Sequence, residues 1–263
     1  MDLNEQQLRN RLAGRAIGGT VCFFPEVDST NEVAFELALT GASDGAAVVA
    51  DTQRSGKGRL KRRWLSPPGC NLYTSIVLRP PLKPALAPQI TLVAGVALAE
   101  FISQYCRGYV SLKWPNDVLI RGKKVGGILT EMKAAGADID FVILGIGVNV
   151  NMKKDSFDES LVQTATSLRE ETGGNLSRLD FTVGLYDSLE RNYDMFIREG
   201  FSPVRDKWLR YAAWMGKRVR VVFGGEVLEG EVMGMGGDGA LLVRDGTMAV
   251  KRIIAGDASL REG

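Results

Sequence analysis

The spacing of apolar and polar residues divides the chain near residue 216. Before that point, apolar runs typical of buried strands alternate with segments that repeat apolar residues at helical spacing. The predicted strands cover residues 21–24, 46–50, 72–78, 110–112, 118–120, 125–132 and 141–150, and the predicted helices cover 32–39, 88–105, 180–198 and 203–215. After that point, short alternating runs over 217–254 are separated by glycine-rich turns, which predicts a small β-barrel. We therefore expect a first unit over residues 1–215 and a second over residues 216–263.

A basic segment rich in glycine and proline interrupts these patterns over residues 51–69, and we predict a long mobile loop there. Six of the twelve residues 53–64 are Lys or Arg, and closely packed cations repel one another unless an anion joins them. Gly56 and Gly58 would let backbone N–H groups approach a ligand, which favours a loop that becomes ordered around a polyphosphate. A solvated basic loop that touches nucleic acid is the alternative, and composition alone does not separate the two.

Composition excludes several kinds of chemistry. The 263 residues contain no histidine, which excludes a Ser-His-Asp triad, a Cys-His dyad and an HExxH zinc site. Three widely spaced cysteines form no CxxC motif and are typical of reduced thiols in a cytosolic protein. The 33 basic and 31 acidic residues leave a net charge of +2, so any positive field must be local. The apolar run from Ile90 to Ile102 is too short to span a bilayer, so it predicts a buried helix and no membrane association.

A turn in the middle of the chain carries a second candidate site, with the sequence Lys113-Trp114-Pro115-Asn116-Asp117. Pro115 restricts the backbone, so Asn116 and Asp117 would offer oxygen atoms in a fixed geometry. Such oxygens would suit Mg²⁺ if a phosphate lay beside them. A plain Asx turn explains the same residues, so this motif alone leaves both explanations open.

Two glycine-containing strands follow that turn. Lys124 lies at the mouth of the first, where Gly126 and Gly127 would let a narrow ligand lie against the backbone. A solvated hairpin tip is the alternative explanation for Lys124. The second strand, Gly145 to Asn149, matches a dinucleotide-binding fingerprint poorly, because no helix or distant acidic residue follows it.

Taken together, five segments resemble the biotin protein ligase family: 28–31, 53–64, 113–117, 124–129 and 145–149. They occur in the family's order and at compatible spacing. The resemblance implies an α+β fold with a catalytic domain like that of class II aminoacyl-tRNA synthetases, in which helices flank a mixed sheet, followed by an SH3-like β-barrel. It also implies two half-reactions. Biotin and MgATP give biotinyl-5′-AMP and pyrophosphate, and a lysine of a biotin carboxyl carrier protein, such as the acetyl-CoA carboxylase carrier subunit, then takes up the biotinyl group.

The resemblance implies catalytic roles for three residues. Lys124 would bind the biotin carboxylate and stabilise the charge that grows on the α-phosphate, and Arg59 would contact the junction between carboxylate and phosphate. Asp117 is the third catalytic candidate, and Asp117 with Asn149 would hold Mg²⁺. The lysine nucleophile comes from the acceptor protein, which agrees with a chain that has no histidine.

The resemblance also implies the residues that bind biotin and ATP. Ser29, Thr30 and Gln53 would hydrogen-bond the ureido head of biotin, and Trp64 would stack on adenine. The complete set implied for the small-molecule ligands is Ser29, Thr30, Asn31, Gln53, Gly56, Lys57, Gly58, Arg59, Arg62, Trp64, Asn116, Lys124, Gly126, Gly127 and Asn149.

Two departures from the family pattern qualify these expectations. Lys57 stands where the family usually has Arg, which keeps the charge but loses bidentate geometry. Bifunctional members carry a winged-helix DNA-binding domain before the catalytic domain, and only 27 residues precede Asp28 here. We therefore expect no operator DNA as a partner and no repressor role. Family members are monomers or dimers, and exposed sheet edges would permit a homodimer.

Two alternative functions stay open on the sequence. A lipoate–protein ligase would share the general architecture, although the pairing of Ser29-Thr30 with Gln53 favours biotin. A non-catalytic nucleic-acid-binding protein would use the basic segment and the barrel, and its affinity would depend steeply on salt. The leading expectation is a cytoplasmic biotin ligase.

Overall fold

The structure is a computed structural model that describes residues 3–260. Its helices are α1 (Glu5–Leu12), α2 (Thr30–Leu39), α3 (Pro88–Ile102), α4 (Leu168–Thr172), α5 (Arg178–Glu199) and α6 (Ser202–Tyr211). Its strands are β1 (Val21–Val27), β2 (Ala47–Gln53), β3 (Leu72–Leu78), β4 (Val110–Lys113), β5 (Asp117–Ile120), β6 (Lys123–Ala135), β7 (Asp138–Val148), β8 (Arg218–Phe223), β9 (Glu226–Met235), β10 (Leu241–Asp245), β11 (Val250–Ile253) and β12 (Asp257–Leu260). Short 3₁₀ turns lie at Arg59–Lys61, Pro84–Leu86 and Lys154–Ser156.

Seven strands form a mixed sheet in the order β1-β2-β3-β7-β6-β5-β4. The strands β1 and β2 are parallel, and the other neighbours are antiparallel. Every residue of the central strand β3 is buried, because helices cover both faces of the sheet at this point. The residue pairs Leu72–Val148 and Gly126–Val148 fix the register of β3, β7 and β6, and this register places the glycine-containing strands side by side.

Helices cover the two faces of this sheet unequally. Helix α2 packs against β2, β3 and β7 on one face, where Ala34, Ala38 and Val48 belong to one small core. Helices α3, α5 and α6 pack together on the other face, and Val49 belongs to their larger core. Val48 and Val49 enter opposite cores because successive side chains of a strand point to opposite faces.

Helix α3 is apolar on all its sides. The stretch 84–102 is long and apolar enough, by length and composition alone, to cross a membrane, but most of it is buried inside the protein. The sheet covers one side of the helix, and α5 and α6 cover the others. The stretch is therefore a core helix, as the sequence predicted for Ile90–Ile102.

The last five strands form a separate antiparallel sheet in the order β11-β10-β9-β8-β12, in an SH3-like arrangement. Val219 and Val221 are fully buried, whereas Arg218 and Arg220 are exposed, as expected for strands with one buried face. The Trp114 indole N–H donates to Gly239 O at 3.1 Å. This hydrogen bond joins the second sheet to the turn that carries the candidate site.

The observed fold confirms the predicted class, a mixed sheet flanked by helices followed by an SH3-like unit. Several boundaries were wrong. The helix predicted over 203–215 ends at Tyr211, because Ala212 is extended and pairs with Leu112. The loop predicted over 51–69 begins later, because β2 continues to Gln53, and it contains a 3₁₀ turn at Arg59–Lys61. Three elements were not predicted: α1, α4 and β12.

Candidate functional site

Two adjoining cavities lie at the edge of the mixed sheet where β2, β6 and β7 present their predicted site residues. The larger, called here the outer cavity, measures about 770 Å³, and the smaller, the inner cavity, about 50 Å³. Five residues line both cavities and form the wall between them: Gly58, Arg59, Trp64, Asn116 and Lys124. The sequence predicted a ligand-binding role for each of these five.

The polar wall of the inner cavity is built where β2 ends and α2 begins. Thr30 donates its backbone N–H and its hydroxyl to Gln53 Oε1, at 2.9 and 3.2 Å. Gln53 Nε2 donates in turn to Ser66 Oγ at 2.9 Å. Ser29 occupies the N-cap position of α2 and is almost fully buried, but its hydroxyl does not cap the helix. The hydroxyl of Ser29 and the positive end of α2 are therefore available to a carbonyl oxygen of a neutral ligand.

A second layer of buried polar groups supports this wall. The Ser75 hydroxyl on β3 lies 2.8 Å from Thr30 Oγ1 and 2.6 Å from Asn31 Oδ1. Asn31 Nδ2 donates to Glu131 Oε2 at 2.6 Å. Gly145 is required beside this layer, because a Cβ there would overlap Asn31 Oδ1. Buried polar atoms are costly unless they are hydrogen-bonded, so this layer holds Thr30 and Asn31 in one geometry.

The Trp64 indole fills much of the space that a ligand of the inner cavity would need. A Cβ on Gly147 would lie 2.6 Å from Trp64 Cε2, and a Cβ on Gly127 would lie 3.1 Å from Cζ3, so the ring packs directly on these two glycines. Its Nε1 is buried without a hydrogen-bond partner. Ligand pockets usually measure about 300–1,000 Å³, so an acid can enter the inner cavity only if the indole moves.

Lys124 lies on the wall that the two cavities share. Its Nζ is 2.6 Å from Asp117 Oδ1 and 5.3 Å from the centre of the Trp64 ring. Lys113 approaches the other oxygen of the same carboxylate at 3.6 Å. Asp117 thus orients two ammonium groups toward the outer cavity. The backbone N–H of Lys124 donates to Thr164 O at 2.8 Å, which fixes the start of β6.

The basic segment is attached to the C-terminal sheet. Arg59 donates to Asn116 Oδ1 at 3.2 Å and to Gly256 O at 3.0 Å, and Arg62 forms an ion pair with Asp257 at 2.6 Å. Burial lowers the pKa of the Arg59 guanidinium, although an arginine stays protonated at neutral pH. A partly buried cation with only neutral hydrogen-bond partners would gain stability from an anionic ligand.

The opposite side of the basic segment is held by α2. Lys57 Nζ lies 2.7 Å from Glu32 Oε1, and this hydrogen bond raises the pKa of the lysine. Lys57 also lines the inner cavity, although it points to a carboxylate of its own chain. The structure therefore gives Lys57 a position that ties the segment to α2.

The outer cavity is strongly basic. Its lining includes two carboxylates, Asp117 and Asp257, and seven cations: Arg59, Arg62, Arg63, Lys113, Arg121, Lys124 and Lys217. Apolar groups such as Met152, Phe157 and Leu161 line it as well. A cavity with an excess of cations and an apolar part can hold a ligand with phosphates and a flat base.

The oxygens of Asp117 and Asn116, two of the residues that would hold Mg²⁺ or nucleotide, are already engaged. Asp117 pairs with two lysines, and Asn116 Oδ1 accepts from Arg59. Asn149 lines the outer cavity and donates its Nδ2 to Thr166 O at 3.0 Å. Among residues 3–260, no group of three or more Asp, Glu, Cys or His side chains could hold a metal ion. A single carboxylate that is already paired with two lysines is a poor ligand set for a magnesium ion held by the protein alone.

Most of the predicted site residues meet at the two cavities. The inner cavity collects Ser29, Thr30, Asn31, Gln53, Lys57 and Gly127, the outer cavity collects Arg62, Asp117 and Asn149, and the shared wall holds the other five. Two predicted residues line neither cavity. Gly126 packs against Leu98 of α3, and Gly56 allows close packing of the segment against Trp64 and Gln53. Both glycines thus serve packing in this structure.

Sequence reasoning missed several residues of the site. Ser75 and Glu131 support the inner cavity from behind, and Lys217 and Asp257 line the outer cavity from the C-terminal sheet or just before it. A signal existed for Ser75, since Tyr-Thr-Ser interrupts an otherwise apolar buried strand. No local signal distinguishes Lys217 from other surface lysines.

Comparison with known proteins agrees with this geometry. A profile of the "Biotin/lipoate A/B protein ligase family" matches residues 23–149, and a profile of the "Biotin protein ligase C terminal domain" matches residues 215–261. The chain is 36% identical over 220 residues to Biotin–[acetyl-CoA-carboxylase] ligase of Paracoccus denitrificans, covering 82% of this chain and 91% of that protein. It is 35% identical over 258 residues to the bifunctional ligase/repressor BirA of Bacillus spizizenii, covering 98% of this chain and 79% of that protein.

A solved structure shows the same arrangement. Biotin protein ligase from Aquifex aeolicus in complex with biotin and ATP superposes with a TM-score of 0.80 and 32% sequence identity, covering 93% of this chain and 99% of that chain. The fold, the two cavities and these relatives define an ATP-binding ligase enzyme. The chain belongs to the biotin protein ligase family.

Proposed function

We propose that this ligase activates biotin with MgATP to form biotinyl-5′-AMP and then transfers the biotinyl group to a lysine of a biotin carboxyl carrier protein, the carrier subunit of acetyl-CoA carboxylase. The name of the Paracoccus denitrificans relative supports the carboxylase as acceptor. The ligands of the Aquifex aeolicus relative support biotin and ATP as the small substrates. The proposal covers the ligase activity alone and does not include the repressor activity in the name of the BirA relatives.

One observation carries the proposal: a cavity with the neutral polar side chains of Ser29, Thr30 and Gln53 at one end and a basic cavity share a wall that contains Lys124 and Arg59. Biotin has a neutral ureido head and a carboxylate at the far end of an alkyl chain. With the head against Ser29, Thr30 and Gln53, the carboxylate would reach the shared wall. A nucleotide in the outer cavity would meet it there.

In the first half-reaction, a carboxylate oxygen of biotin attacks the α-phosphorus of ATP. The bond between the α-phosphorus and the bridging oxygen of the β-phosphate breaks, and pyrophosphate leaves with the electron pair. Lys124 and Arg59 neutralise the negative charge of the two reacting groups, which would otherwise repel each other. Positioning and charge neutralisation are the main catalytic devices for phosphoryl and nucleotidyl transfer.

In the second half-reaction, the neutral amine of the acceptor lysine attacks the acyl carbon of biotinyl-5′-AMP. An amide bond forms, the bond from the acyl carbon to the phosphate oxygen breaks, and AMP leaves with the electron pair. The proton that the amine loses passes to solvent or to a phosphate oxygen. This step needs no side-chain nucleophile, in agreement with a chain that lacks histidine.

We propose that residues 1–215 supply most of the catalytic surface and that residues 216–263 support it through the C-terminal sheet. The hydrogen bonds of Arg59 with Gly256 and of Trp114 with Gly239 support this assignment, because each joins a residue of the site or its turn to the C-terminal part of the chain. We also propose a cytoplasmic location, where ATP is available and the three free cysteines stay reduced.

The test is transfer of labelled biotin to a purified carrier domain in the presence of ATP and Mg²⁺. The proposal expects label on the carrier, biotin-dependent ATP–pyrophosphate exchange, and no label on a carrier whose target lysine is replaced by Arg. Activation of lipoate in place of biotin would overturn the choice of acid. Absence of exchange with either acid would overturn the proposal as a whole.

A further inference from the structure

The side-chain amide of Asn31 has one orientation that its neighbours allow. Asn31 Nδ2 donates to Glu131 Oε2 at 2.6 Å and lies 3.5 Å from Leu129 O. A carboxylate and a backbone carbonyl accept hydrogen bonds and have no proton to donate. The nitrogen of Asn31 must therefore face β6, which leaves its Oδ1 facing Ser75 of β3.

The orientation of Asn31 decides where the hydroxyl proton of Ser75 lies. Ser75 is fully buried, and its Oγ is 2.6 Å from Asn31 Oδ1 and 2.8 Å from Thr30 Oγ1. A hydroxyl has a single proton, and Asn31 Oδ1 is an acceptor without a proton of its own. Ser75 therefore donates to Asn31 and turns its lone pairs toward the hydroxyl of Thr30.

Gln53 reaches the same hydroxyl from the other side with the same polarity. Ser66 Oγ donates to Trp64 O at 3.1 Å, so it can accept from Gln53 Nε2 at 2.9 Å. This arrangement leaves Gln53 Oε1 facing Thr30, whose hydroxyl lies 3.2 Å away. Thr30 Oγ1 thus lies between two acceptors, Ser75 Oγ and Gln53 Oε1, and it has one proton to offer them.

The wall therefore presents a hydrogen-bond acceptor to the inner cavity. Whichever neighbour takes the Thr30 proton, a lone pair of Thr30 Oγ1 remains for a ligand. Thr30 and Ser29 both line the inner cavity and are almost fully buried. The Ser29 hydroxyl does not cap α2, so it can donate to a ligand. A ligand head that matches this pattern carries an N–H group next to a carbonyl group.

We propose that Glu131 is a positioning residue that holds the Thr30 hydroxyl as an acceptor, so that the inner cavity selects an acid whose head carries an N–H donor. Glu131 acts through Asn31 and Ser75, and neither Glu131 nor Ser75 lines the inner or the outer cavity. This inference rests on the proposed function and extends it to residues behind the cavity wall. The cyclic urea of biotin supplies both the N–H and the carbonyl. The dithiolane ring of lipoate supplies neither, so it would leave buried polar groups unpaired.

The test swaps the amide and the carboxylate of the Asn31–Glu131 pair. Asn31→Asp alone places two carboxylates face to face and removes the donor to Glu131. The double variant Asn31→Asp/Glu131→Gln keeps both side-chain lengths. Its amide at position 131 can donate to the carboxylate at position 31, whose second oxygen still accepts from Ser75. The double variant therefore restores the polarity that the single variant disturbs. Glu36→Gln is the matched control, because Glu36 lies on the exposed side of α2 and lines neither cavity.

The assay is biotin-dependent ATP–pyrophosphate exchange, accompanied by thermal unfolding of each variant. We expect Asn31→Asp to raise the KM for biotin about 10- to 100-fold, the usual effect of leaving a buried hydrogen-bonding group unpaired. The KM for ATP should stay near the wild-type value. The double variant should recover most of the affinity for biotin. Glu131→Gln alone should have a smaller effect than Asn31→Asp, because its amide oxygen can still accept from Asn31.

Two biotin derivatives, each methylated at one ureido nitrogen, report on the N–H donor directly. The derivative that lacks the N–H facing Thr30 should bind the wild type and the double variant more weakly than biotin does. Its loss of affinity should be smaller in Asn31→Asp, where the acceptor is no longer held in place. The bulk of the methyl group is the same for every variant, so the difference between variants isolates the hydrogen bond.

Three results would overturn the inference. The first is an unchanged KM for biotin in Asn31→Asp. The second is a KM for ATP that rises as much as the KM for biotin, which would show general damage to the fold. The third is a double variant that binds biotin no better than Asn31→Asp. If Asn31→Asp does not fold, the double variant must fold and bind biotin with nearly the wild-type KM, and its failure would also refute the role of Glu131. Failure of the proposed function gives a different pattern, because the wild-type protein would then show no exchange with biotin.

Discussion

Replacement of Lys124 by Ala tests the role of the wall between the two cavities most directly. The change removes the ammonium that lies 2.6 Å from Asp117 Oδ1 and faces both cavities. It leaves the polar wall of the inner cavity, which would hold the ureido head, in place. Biotin should therefore still bind, whereas charge on the α-phosphate should lose its main counterion.

The expected loss can be derived from the environment of the pair. A preorganised group that stabilises developing charge contributes about 10²–10³-fold to kcat, or roughly 3–4 kcal/mol. The effect on folding should be smaller. The side chains of Lys124 and Asp117 are 34% and 14% exposed, so the pair lies between a surface and a buried ion pair. Breaking it should cost about 1–2 kcal/mol of unfolding free energy, since Asp117 keeps Lys113 as a partner.

The assay is biotin-dependent ATP–pyrophosphate exchange, accompanied by thermal unfolding of each variant. Lys123→Ala is the matched control, because it removes the neighbouring lysine of β6, which lines neither cavity. Lys124→Arg keeps the charge but not the compact ammonium, so its activity should fall between wild type and Lys124→Ala. Near-normal exchange in Lys124→Ala would remove this residue from the chemistry and refute the reasoning.

Three further predictions concern separate parts of the molecule. Trp64→Ala should weaken ATP binding by about 1–3 kcal/mol, the usual value of base stacking. It should not weaken biotin binding, because the indole occupies the inner cavity in the free protein. Isothermal titration calorimetry checks both affinities, and Trp64→Phe should keep most of the ATP affinity. Hydrogen bonding by Ser177 and the guanidinium of Arg11 lower the pKa of Asp180, so Asp180→Asn should destabilise the fold above a pH of about 4 by less than about 1 kcal/mol. That difference should vanish in melts as the pH falls through the folded-state pKa, and a pH-independent difference would contradict it. Burial raises the pKa of the Cys70 thiol, so the thiol should react slowly with iodoacetamide at pH 8 in the folded protein, and Cys70→Ser should keep its exchange activity.

The sequence predicted well those elements whose apolar spacing and flanking turn residues lie within one short segment of the chain. The predicted strand over 72–78 agrees with β3 residue for residue, and β8 is the first of the short alternating runs predicted over 217–254. Each lies between clear turn signals, and the order of apolar and polar residues along it matches the faces that are buried. The short strand β12 was missed because its burial depends on pairing with β8, some 35 residues away in the chain.

The end of α6 shows the same limit. Apolar spacing favoured a helix as far as residue 215, but Ala212 and Ala213 leave the helix to bond with Leu112 of β4. Tertiary hydrogen bonds outweighed the small differences in helix propensity. The same hydrogen bonds bring Lys217 to the outer cavity.

The sequence by itself determined the chemistry that this protein could use. The absence of histidine, the basic segment with its glycines and the lysine before a glycine-containing strand were all readable from residue types and spacing. Residue type decides which charges and hydrogen bonds are available, and this information is local to each segment.

Only the tertiary structure decided how these groups meet. The register of β3, β7 and β6 places Gly127 and Gly147 together under Trp64, and the C-terminal sheet brings Asp257 to Arg62. It also decided that Asp117 faces two lysines and that Ser75 supports Thr30 from behind. Such contacts join residues far apart in the chain, and they depend on the sum of all packing interactions, which no single segment contains.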